Sequence, residues 1–236
     1  MLELKNYTKI YANKYVGAKD ISLKVEKGDI FAFIGHNGAG KTTTIKSIVG
    51  ISDITRGDIL INGISVKQNP QETKKMLAYV PDSPDLYDSL TGIQYLNFIA
   101  DIFKVDKKKR EELTLKYSNL LGLTGSLNNF ISTYSHGMKQ KLAIISALIH
   151  EPKLLILDEP FVGLDPKASF ELKNILKSFA SDGGIIFFST HVLEVAEKIC
   201  NKVAIIKKGE IVAQGSMEEI RKDKSLESVF LELTNE

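Results

Sequence analysis

One stretch of the chain has the residue types and spacing needed to bind phosphate. It comprises Gly35, His36, Asn37, Gly38, Ala39, Gly40, Lys41, Thr42 and Thr43. These residues fit the P-loop pattern G-x-x-x-x-G-K-[ST] at every fixed position. The glycines allow a tight turn that presents backbone N–H groups to phosphate oxygens. Lys41 can reach the β- and γ-phosphates of a nucleotide, and the Thr42 hydroxyl can ligate Mg²⁺. The alternative is a Gly-rich turn that binds nothing.

Two acidic residues and a histidine could complete that chemistry. Asp158 and Glu159 follow Leu154–Leu157, an apolar run typical of a strand buried on both faces of a parallel sheet. Ligands of open α/β sheets bind at the carboxyl ends of strands, so Asp158 is well placed for Mg²⁺. Glu159 could hold the attacking water beside a γ-phosphate. His191 ends another apolar run and could contact the γ-phosphate, although a satisfied surface or core histidine is the alternative.

The elements around the loop are those that a P-loop requires. Ile30–Ile34 is a short apolar block that predicts a buried strand, and Thr43–Val49 predicts a helix that Gly50 can terminate. A helix start adds positive dipole where phosphate would bind. This strand–loop–helix order favours a nucleotide site over an incidental turn.

Upstream of the loop, two segments predict strands. Residues 2–7 and 21–25 alternate apolar and polar side chains with period two. The connection between them contains Tyr11 and Tyr15, and a tyrosine there could stack on a nucleotide base. An ordinary surface tyrosine is the alternative.

The middle of the chain changes character and predicts helices. Thr91-x-x-Gln94 is a capping box that opens one helix, and a second helix is expected over about 106–121. A third follows Ser135, and its apolar residues fall on one face. Downstream, helical and buried-strand patterns alternate again and end in a hairpin and a capped helix. The pattern predicts an α/β fold with a mainly parallel sheet, an N-terminal antiparallel β portion and an inserted helical segment.

Composition limits the class of protein. The 236 residues carry 31 basic and 29 acidic side chains, a net charge of +2. This balance does not favour nucleic-acid binding, and the basic run 107–110 is followed at once by Glu111 and Glu112. The single Cys200 suits a reducing compartment. No apolar run approaches the ~20 residues of a membrane span. We therefore expect a soluble, cytoplasmic chain.

These motifs occur in an order that resembles the ATP-binding subunit of an ABC transporter, over nearly the whole chain. The P-loop is similar to the family's Walker A motif. Leu154–Glu159 resembles Walker B, with Asp158 as the magnesium carboxylate and Glu159 as the catalytic glutamate. His191 stands at the position of the switch histidine.

Three more positions carry the resemblance. Ser135-x-Gly137 is similar to the signature sequence, usually L-S-G-G-Q, and Gly163–Asp165 resembles the D-loop. Tyr11 falls at the aromatic A-loop position, where Tyr15 is close enough to compete. Walker A alone would identify only a P-loop NTPase, whereas this ordered set is specific to one family.

The resemblance implies ATP and Mg²⁺ as cofactors and assigns roles to matching residues. The catalytic residues would be Lys41, Glu159 and His191. The metal ligands would be Thr42, Asp158 and Asp82. Nucleotide contacts would come from the whole P-loop of Gly35 to Thr43, from Tyr11 and, across a dimer, from Ser135 and Gly137.

The resemblance also implies an organisation. The chain would be one ABC ATPase domain, in which residues 1–81 and 153–236 form the nucleotide-binding core and 82–152 form a helical subdomain carrying the signature. Two subunits would pack head to tail with ATP between them. A separate membrane-spanning permease would be the partner, and the subunit would be peripheral on the inner face of the cell membrane. The amino-acid sequences of the motifs are most similar to those in subunits of ABC-2-type exporters.

Two departures from the family pattern matter. The signature has His136 and Met138 where Gly and Gln are commoner, but it keeps Ser135 and Gly137, so we expect function to be retained. Asp82 stands at the position of the Q-loop glutamine. It is shorter and charged, and it can reach Mg²⁺ through a water.

Two other functions fit the sequence less well. A soluble ABC ATPase of translation or DNA repair usually carries tandem ATPase domains or long coiled-coil insertions, and this sequence has neither. A degenerate, non-catalytic partner in an ABC heterodimer would lack catalytic residues. The presence of Lys41, Asp158, Glu159 and His191 argues against it.

Overall fold

The computed structural model describes residues 1–234, whose strands form two sheets. The strands are β1 (Leu2–Ile10), β2 (Val16–Val25), β3 (Ile30–Ile34), β4 (Arg56–Ile61), β5 (Ile64–Ser65), β6 (Leu77–Val80), β7 (Leu154–Asp158), β8 (Ile185–Thr190), β9 (Lys202–Lys207) and β10 (Glu210–Ser216). One sheet is antiparallel, in the order β2-β1-β4-β5. The other has the order β10-β9-β3-β8-β7-β6 and is parallel except at β10. The predicted α/β class is confirmed.

Helices occur from the phosphate-binding loop to the end of the described residues. They are α1 (Lys41–Ile48), α2 (Pro70–Met76), α3 (Gly92–Ile102), α4 (Lys107–Leu120), α5 (His136–Ile149), α6 (Pro166–Ser181), α7 (Leu193–Ile199), α8 (Met217–Arg221) and α9 (Leu226–Thr234). The capping box predicted at Thr91 forms, and the predicted C-terminal capped helix is α8, where Ser216 and Glu219 form a second capping box. We did not predict α7, because Val192 at its N-cap makes no side-chain cap bond. None of the helices within 1–234 is both long enough and apolar enough to cross a membrane.

The parallel sheet separates two hydrophobic clusters. On one side of the sheet, alternate residues of β3 pack with helices α3 to α6; these are Ile30, Ala32 and Ile34. On the other side, Phe31 and Phe33 pack with the antiparallel sheet and α1. Strands β7 and β8 divide in the same way. Successive side chains of a strand point to opposite faces, so a continuous apolar run is needed where both faces are covered. This explains why apolar and polar side chains do not alternate along the core strands.

Helix α5 differs from the sequence-based expectation. We expected one apolar face carrying Met138, Leu142, Ile145 and Ile149, but residues 142–149 are buried on every side. Helices α3 and α4 and strand β6 pack around it, so the apolar face widens to the full circumference. The start of the helix, by contrast, is partly exposed.

The order of the strands determines where functional residues can meet. Strands β3, β8 and β7 are neighbours and parallel, and their register places Ile34 beside Thr190 and Asp158 beside Ser189. Strand β6 pairs with the outer side of β7 and ends just before Asp82. All four strands therefore end at one edge of the sheet.

The ends of α3 and α5 generate a pH-dependent prediction. The rings of Phe103 and His150 stack there, with centroids 3.7 Å apart. Burial lowers the pKa of His150 to about 4, whereas the pKa of a histidine in an unfolded chain is about 6.5. Between these values only the unfolded chain takes up the proton. The free energy of unfolding should therefore fall as pH decreases through this window.

The substitution His150→Phe keeps a stacking ring and removes the proton site. Thermal unfolding followed by circular dichroism should show a smaller drop in Tm between pH 7 and pH 5 for the variant than for wild type. His136→Asn, at an exposed histidine, is the matched control and should keep the wild-type pH dependence. Parallel pH profiles for His150→Phe and wild type would contradict the prediction.

Candidate active site

The phosphate-binding loop lies between the buried strand β3 and helix α1, as predicted. Gly40 takes the N-cap position of α1 with φ of 109°, a left-handed conformation that favours glycine. A Cβ at this position would lie 2.3 Å from the carbonyl oxygen of Gly17. The loop can therefore approach the start of β2 closely only because residue 40 has no side chain.

Lys41 is held at the mouth of this loop. Its Nζ donates hydrogen bonds to the carbonyl oxygens of Gly35 (2.6 Å) and His36 (3.4 Å), and the residue is 7% exposed. Burial lowers the pKa of Lys41, and the nearby carboxylates of Glu159 and Asp158 oppose that shift. The ammonium is thus partly desolvated and already oriented, which strengthens its attraction for phosphate.

Asp158 and Thr42 form a site that fits Mg²⁺. Thr42 Oγ1 lies 3.0 Å from Asp158 Oδ2, and the other carboxylate oxygen accepts a hydrogen bond from Ser189. Two adjacent ligands of an octahedral Mg²⁺, each at about 2.0–2.1 Å, lie roughly 2.9 Å apart. No cluster of three or more His, Cys, Asp or Glu suited to a metal occurs within residues 1–234. One carboxylate and one hydroxyl suit a cation that completes its shell with phosphate and water.

Glu159 meets both His191 and Lys41. Its Oε1 lies 2.9 Å from His191 Nδ1 and 3.9 Å from Lys41 Nζ, and its Oε2 accepts from the backbone N–H of His191 at 3.3 Å. The backbone of Glu159 has φ of 49°, an uncommon conformation for a residue with a side chain, and such strain is concentrated at functional sites. The carboxylate is therefore held in one orientation beside the phosphate loop.

Both candidate tyrosines contact the loop. Tyr11 Oη lies 3.1 Å from Thr43 Oγ1, and Tyr15 Oη donates to the carbonyl oxygen of Gly38 at 3.4 Å. The two rings are stacked with centroids 6.1 Å apart. The contacts place an aromatic surface beside the loop and leave both tyrosines as candidates for the base contact.

Asp82 lies close to this edge of the sheet. It is exposed and lies two residues beyond the end of β6. Burial raises the pKa of Tyr79, and the carboxylates of Asp158 and Asp82 both add to this effect. The two carboxylates therefore share the neighbourhood of one tyrosine, although no hydrogen bond joins Asp82 to the cluster within residues 1–234.

The signature residues Ser135 and Gly137 contact other parts of the chain than the phosphate-binding loop. Ser135 caps α5 by accepting from the backbone N–H of Met138 at 3.3 Å. A Cβ on Gly137 would lie 2.4 Å from the carbonyl oxygen of Gly163, so this glycine permits close packing against the D-loop. Among the described residues, no hydrogen bond links Ser135 or Gly137 to the P-loop.

The sequence did not reveal the role of Ser189 or the contact between His36 and α9. Ser189, which bonds to Asp158, could have been found as the polar residue ending a buried apolar strand. His36 was expected to bind nucleotide as part of the loop, but its ring lies against Phe230 of α9, a contact that no local pattern indicates.

Together these groups can bind a nucleoside triphosphate and direct its hydrolysis. The loop and Lys41 can hold the β- and γ-phosphates, while Asp158 and Thr42 face a metal position. Glu159, oriented by His191, can accept a proton from water.

Comparison with known proteins agrees with this geometry. The family model described as ABC transporter matches residues 18–162. The chain is 35% identical to the ABC-type transporter ATP-binding protein EcsA of Bacillus subtilis, over 100% of this chain and 97% of EcsA. It is also 35% identical to the linearmycin resistance ATP-binding protein LnrL of the same organism, over 92% of this chain and 69% of LnrL.

A solved structure described as the ATP binding subunit of an ABC transporter is similar throughout. It superposes with a TM-score of 0.95 at 35% sequence identity and covers 99% of both chains. The family and the ATP binding that the motifs predicted are thereby confirmed. The chain belongs to the ABC transporter family, in which it is an ATP-binding, ATP-hydrolysing subunit.

Proposed function

We propose that this subunit powers export through a separate membrane-spanning partner and works as a head-to-tail dimer at the inner face of the cell membrane. The observation that carries the proposal is the meeting of Lys41, Glu159 and His191 at the mouth of the P-loop. The substrate of transport would be selected by the membrane partner. The relative LnrL is named for linearmycin resistance, which favours outward transport over uptake.

Each side chain of the cluster has a distinct role in the proposed mechanism. Lys41 pairs with the β- and γ-phosphates in place of its bonds to loop carbonyls. This transfer frees Glu159 from its contact with Lys41, so that the carboxylate can orient or deprotonate water. His191 keeps Glu159 in place through Nδ1 and its backbone N–H, and its Nε2 would contact the γ-phosphate.

A bound Mg²⁺ would be held by Thr42 and Asp158 and would neutralise charge on the β- and γ-phosphate oxygens. Ser189 fixes the Asp158 carboxylate from the opposite side. Asp82 would approach the same position through a water.

The signature residues explain why two subunits are needed. Ser135 and the backbone N–H groups at the start of α5 have no phosphate to bind within their own chain. In a head-to-tail dimer they would complete the shell of the partner's γ-phosphate. ATP would then join the two subunits, and hydrolysis would release them.

An exposed aromatic cluster beside the signature helix supplies a docking surface for the membrane partner. Tyr87 packs edge-on against Tyr95 and Phe98, with centroids 6.2 and 5.6 Å apart. Tyr87 and Phe98 remain exposed, and Ile102 continues the apolar surface along α3. Lys139 of α5 binds Asp88 at 2.7 Å, which ties this surface to the signature helix. A movement of the membrane partner would thus be transmitted to the signature residues at the contact between the two ATPase subunits.

This docking surface also supports the proposed division of the chain. Residues 82–152 would act as the helical subdomain between partner and nucleotide, and 1–81 with 153–236 would form the ATP-binding core. The alternative of a degenerate heterodimer partner is disfavoured by the oriented Glu159.

The Lys41→Ala variant should lose ATP hydrolysis and bind ATP at least tenfold more weakly, because a charge-assisted contact to phosphate contributes about 1.5–3 kcal/mol. Isothermal titration and a phosphate-release assay measure both quantities. Lys46→Ala is the matched control, since Lys46 is exposed on the same helix. Near-normal turnover by Lys41→Ala would contradict the P-loop assignment.

The Glu159→Gln variant should bind ATP but hydrolyse it roughly 10²–10⁴-fold more slowly, because it keeps the shape and loses the base. It should therefore accumulate as an ATP-bound dimer, which size-exclusion chromatography with and without ATP can detect. A variant that binds ATP normally and stays monomeric would argue against the dimer mechanism for the isolated subunit. Hydrolysis at the wild-type rate would remove Glu159 from catalysis.

The Asp82→Ala variant should reduce transport more than it reduces the basal ATPase activity of the isolated subunit. The physical reason is its position between the strand edge and the loop that precedes the aromatic cluster. Asp82→Gln, which introduces the amide usual in the family, is the conservative control and should retain coupling. An equal loss of transport and basal ATPase activity in Asp82→Ala would instead make Asp82 part of the chemical step.

A further inference from the structure

We propose that the C-terminal helix α9 is a positioning element of the ATP site, which pre-organises the phosphate-binding loop by anchoring His36. The inference rests on the proposed function and extends it to a helix outside the family model match at 18–162. His36 would be a positioning residue rather than a phosphate ligand through its ring.

The contact between the loop and α9 is specific. The rings of His36 and Phe230 are tilted by 57°, with centroids 4.8 Å apart, and His36 Nε2 lies 3.2 Å from Thr234 Oγ1. Phe230 and Thr234 are each 7% exposed, so the helix presents a buried, fixed surface to the ring. The loop is thus held by one aromatic contact and one hydrogen bond.

The direction of that hydrogen bond follows from a neighbouring one. The Thr234 hydroxyl donates its own hydrogen to the carbonyl oxygen of Phe230 at 2.6 Å. It can therefore only accept from His36, whose Nε2 must carry the hydrogen. The anchor selects the Nε2-protonated form of the imidazole, so a hydroxyl is required here and an isosteric valine would break the bond.

Helix α9 is itself attached to the segment that follows the switch histidine. Glu197 of α7 accepts from the backbone N–H of Leu226 at 3.0 Å and pairs with Arg221 at 3.0 Å. Leu226 and Val229 are buried in the core shared with α7. Because α7 begins two residues after His191, α9 joins the P-loop to the helix that follows the switch histidine.

Anchoring His36 has a defined energetic consequence. The residue lies between Gly35 and Gly38, where the backbone has most freedom to lose when the loop closes around phosphates. A loop that is already held in place loses less conformational entropy when it binds phosphate, so its affinity for the nucleotide is higher. The His36 carbonyl also accepts from Lys41, so the anchor helps to orient the ammonium. The expected effect is on nucleotide affinity more than on the chemical step.

The variant Thr234→Val tests the anchor at a residue that contacts no nucleotide in this scheme. The Kd for ATP, measured by isothermal titration, should rise about fivefold, the effect of one lost hydrogen bond. The KM should rise in parallel, while kcat stays within a factor of two. Leu231→Ala, at an exposed position on the same helix, is the matched control and should leave the Kd unchanged. A lower Tm with an unchanged Kd would overturn the inference, because α9 would then only stabilise the fold.

A double-mutant cycle with His36→Ala separates the anchor from indirect effects. Thr234→Val should add less than a twofold change in Kd once the imidazole is absent. A full fivefold effect in the His36→Ala background would also overturn the inference. If the wild-type protein bound no ATP, the proposed function itself would be wrong. The Lys41→Ala variant shows how a protein with weakened ATP binding behaves in the same assay. The two failures are therefore distinguishable.

Discussion

The parallel pairing of β3, β8 and β7 is the constraint on which the rest of the structure depends. It brings the ends of three distant segments to one edge and sets Asp158 beside Ser189. The pairing requires strands whose two faces are both covered, which the antiparallel sheet and the helices provide on opposite sides. The apolar composition of these strands and the position of the catalytic groups thus have a single cause.

Charge balance at that edge explains how a buried lysine is tolerated. Lys41 gives up water for two carbonyl oxygens and for the field of Glu159 and Asp158. Glu159 is in turn bonded by His191, so no ionised group in the cluster is without a partner. In the proposed mechanism, binding of triphosphate would replace one set of partners for Lys41 with another. This exchange would link nucleotide binding to the release of the Glu159 carboxylate for its action on water.

Helices α5 and α9 connect this edge to the rest of the molecule. Helix α5 is buried through most of its length, while its start remains exposed beside Gly163. Lys141 of α5 binds Asp165, the N-cap of α6, at 2.5 Å, which ties the signature helix to the D-loop. Helix α9 makes a comparable connection from the opposite end of the chain. The site is thus supported by the packing of helices that lie outside the phosphate-binding loop.

The sequence alone determined the local elements and most of the candidate site. A P-loop, apolar strands with both faces buried, and capping residues such as Thr91 and Asp165 are local signals, because their hydrogen bonds close within a few residues. Contacts between distant segments leave no such signal. Only tertiary structure decided the orientation of Glu159 by His191, the bond from Ser189 to Asp158, the burial of α5 on all sides and the packing of His36 on α9. Each depends on which strands and helices become neighbours, and that is set by the packing of the whole chain around one sheet.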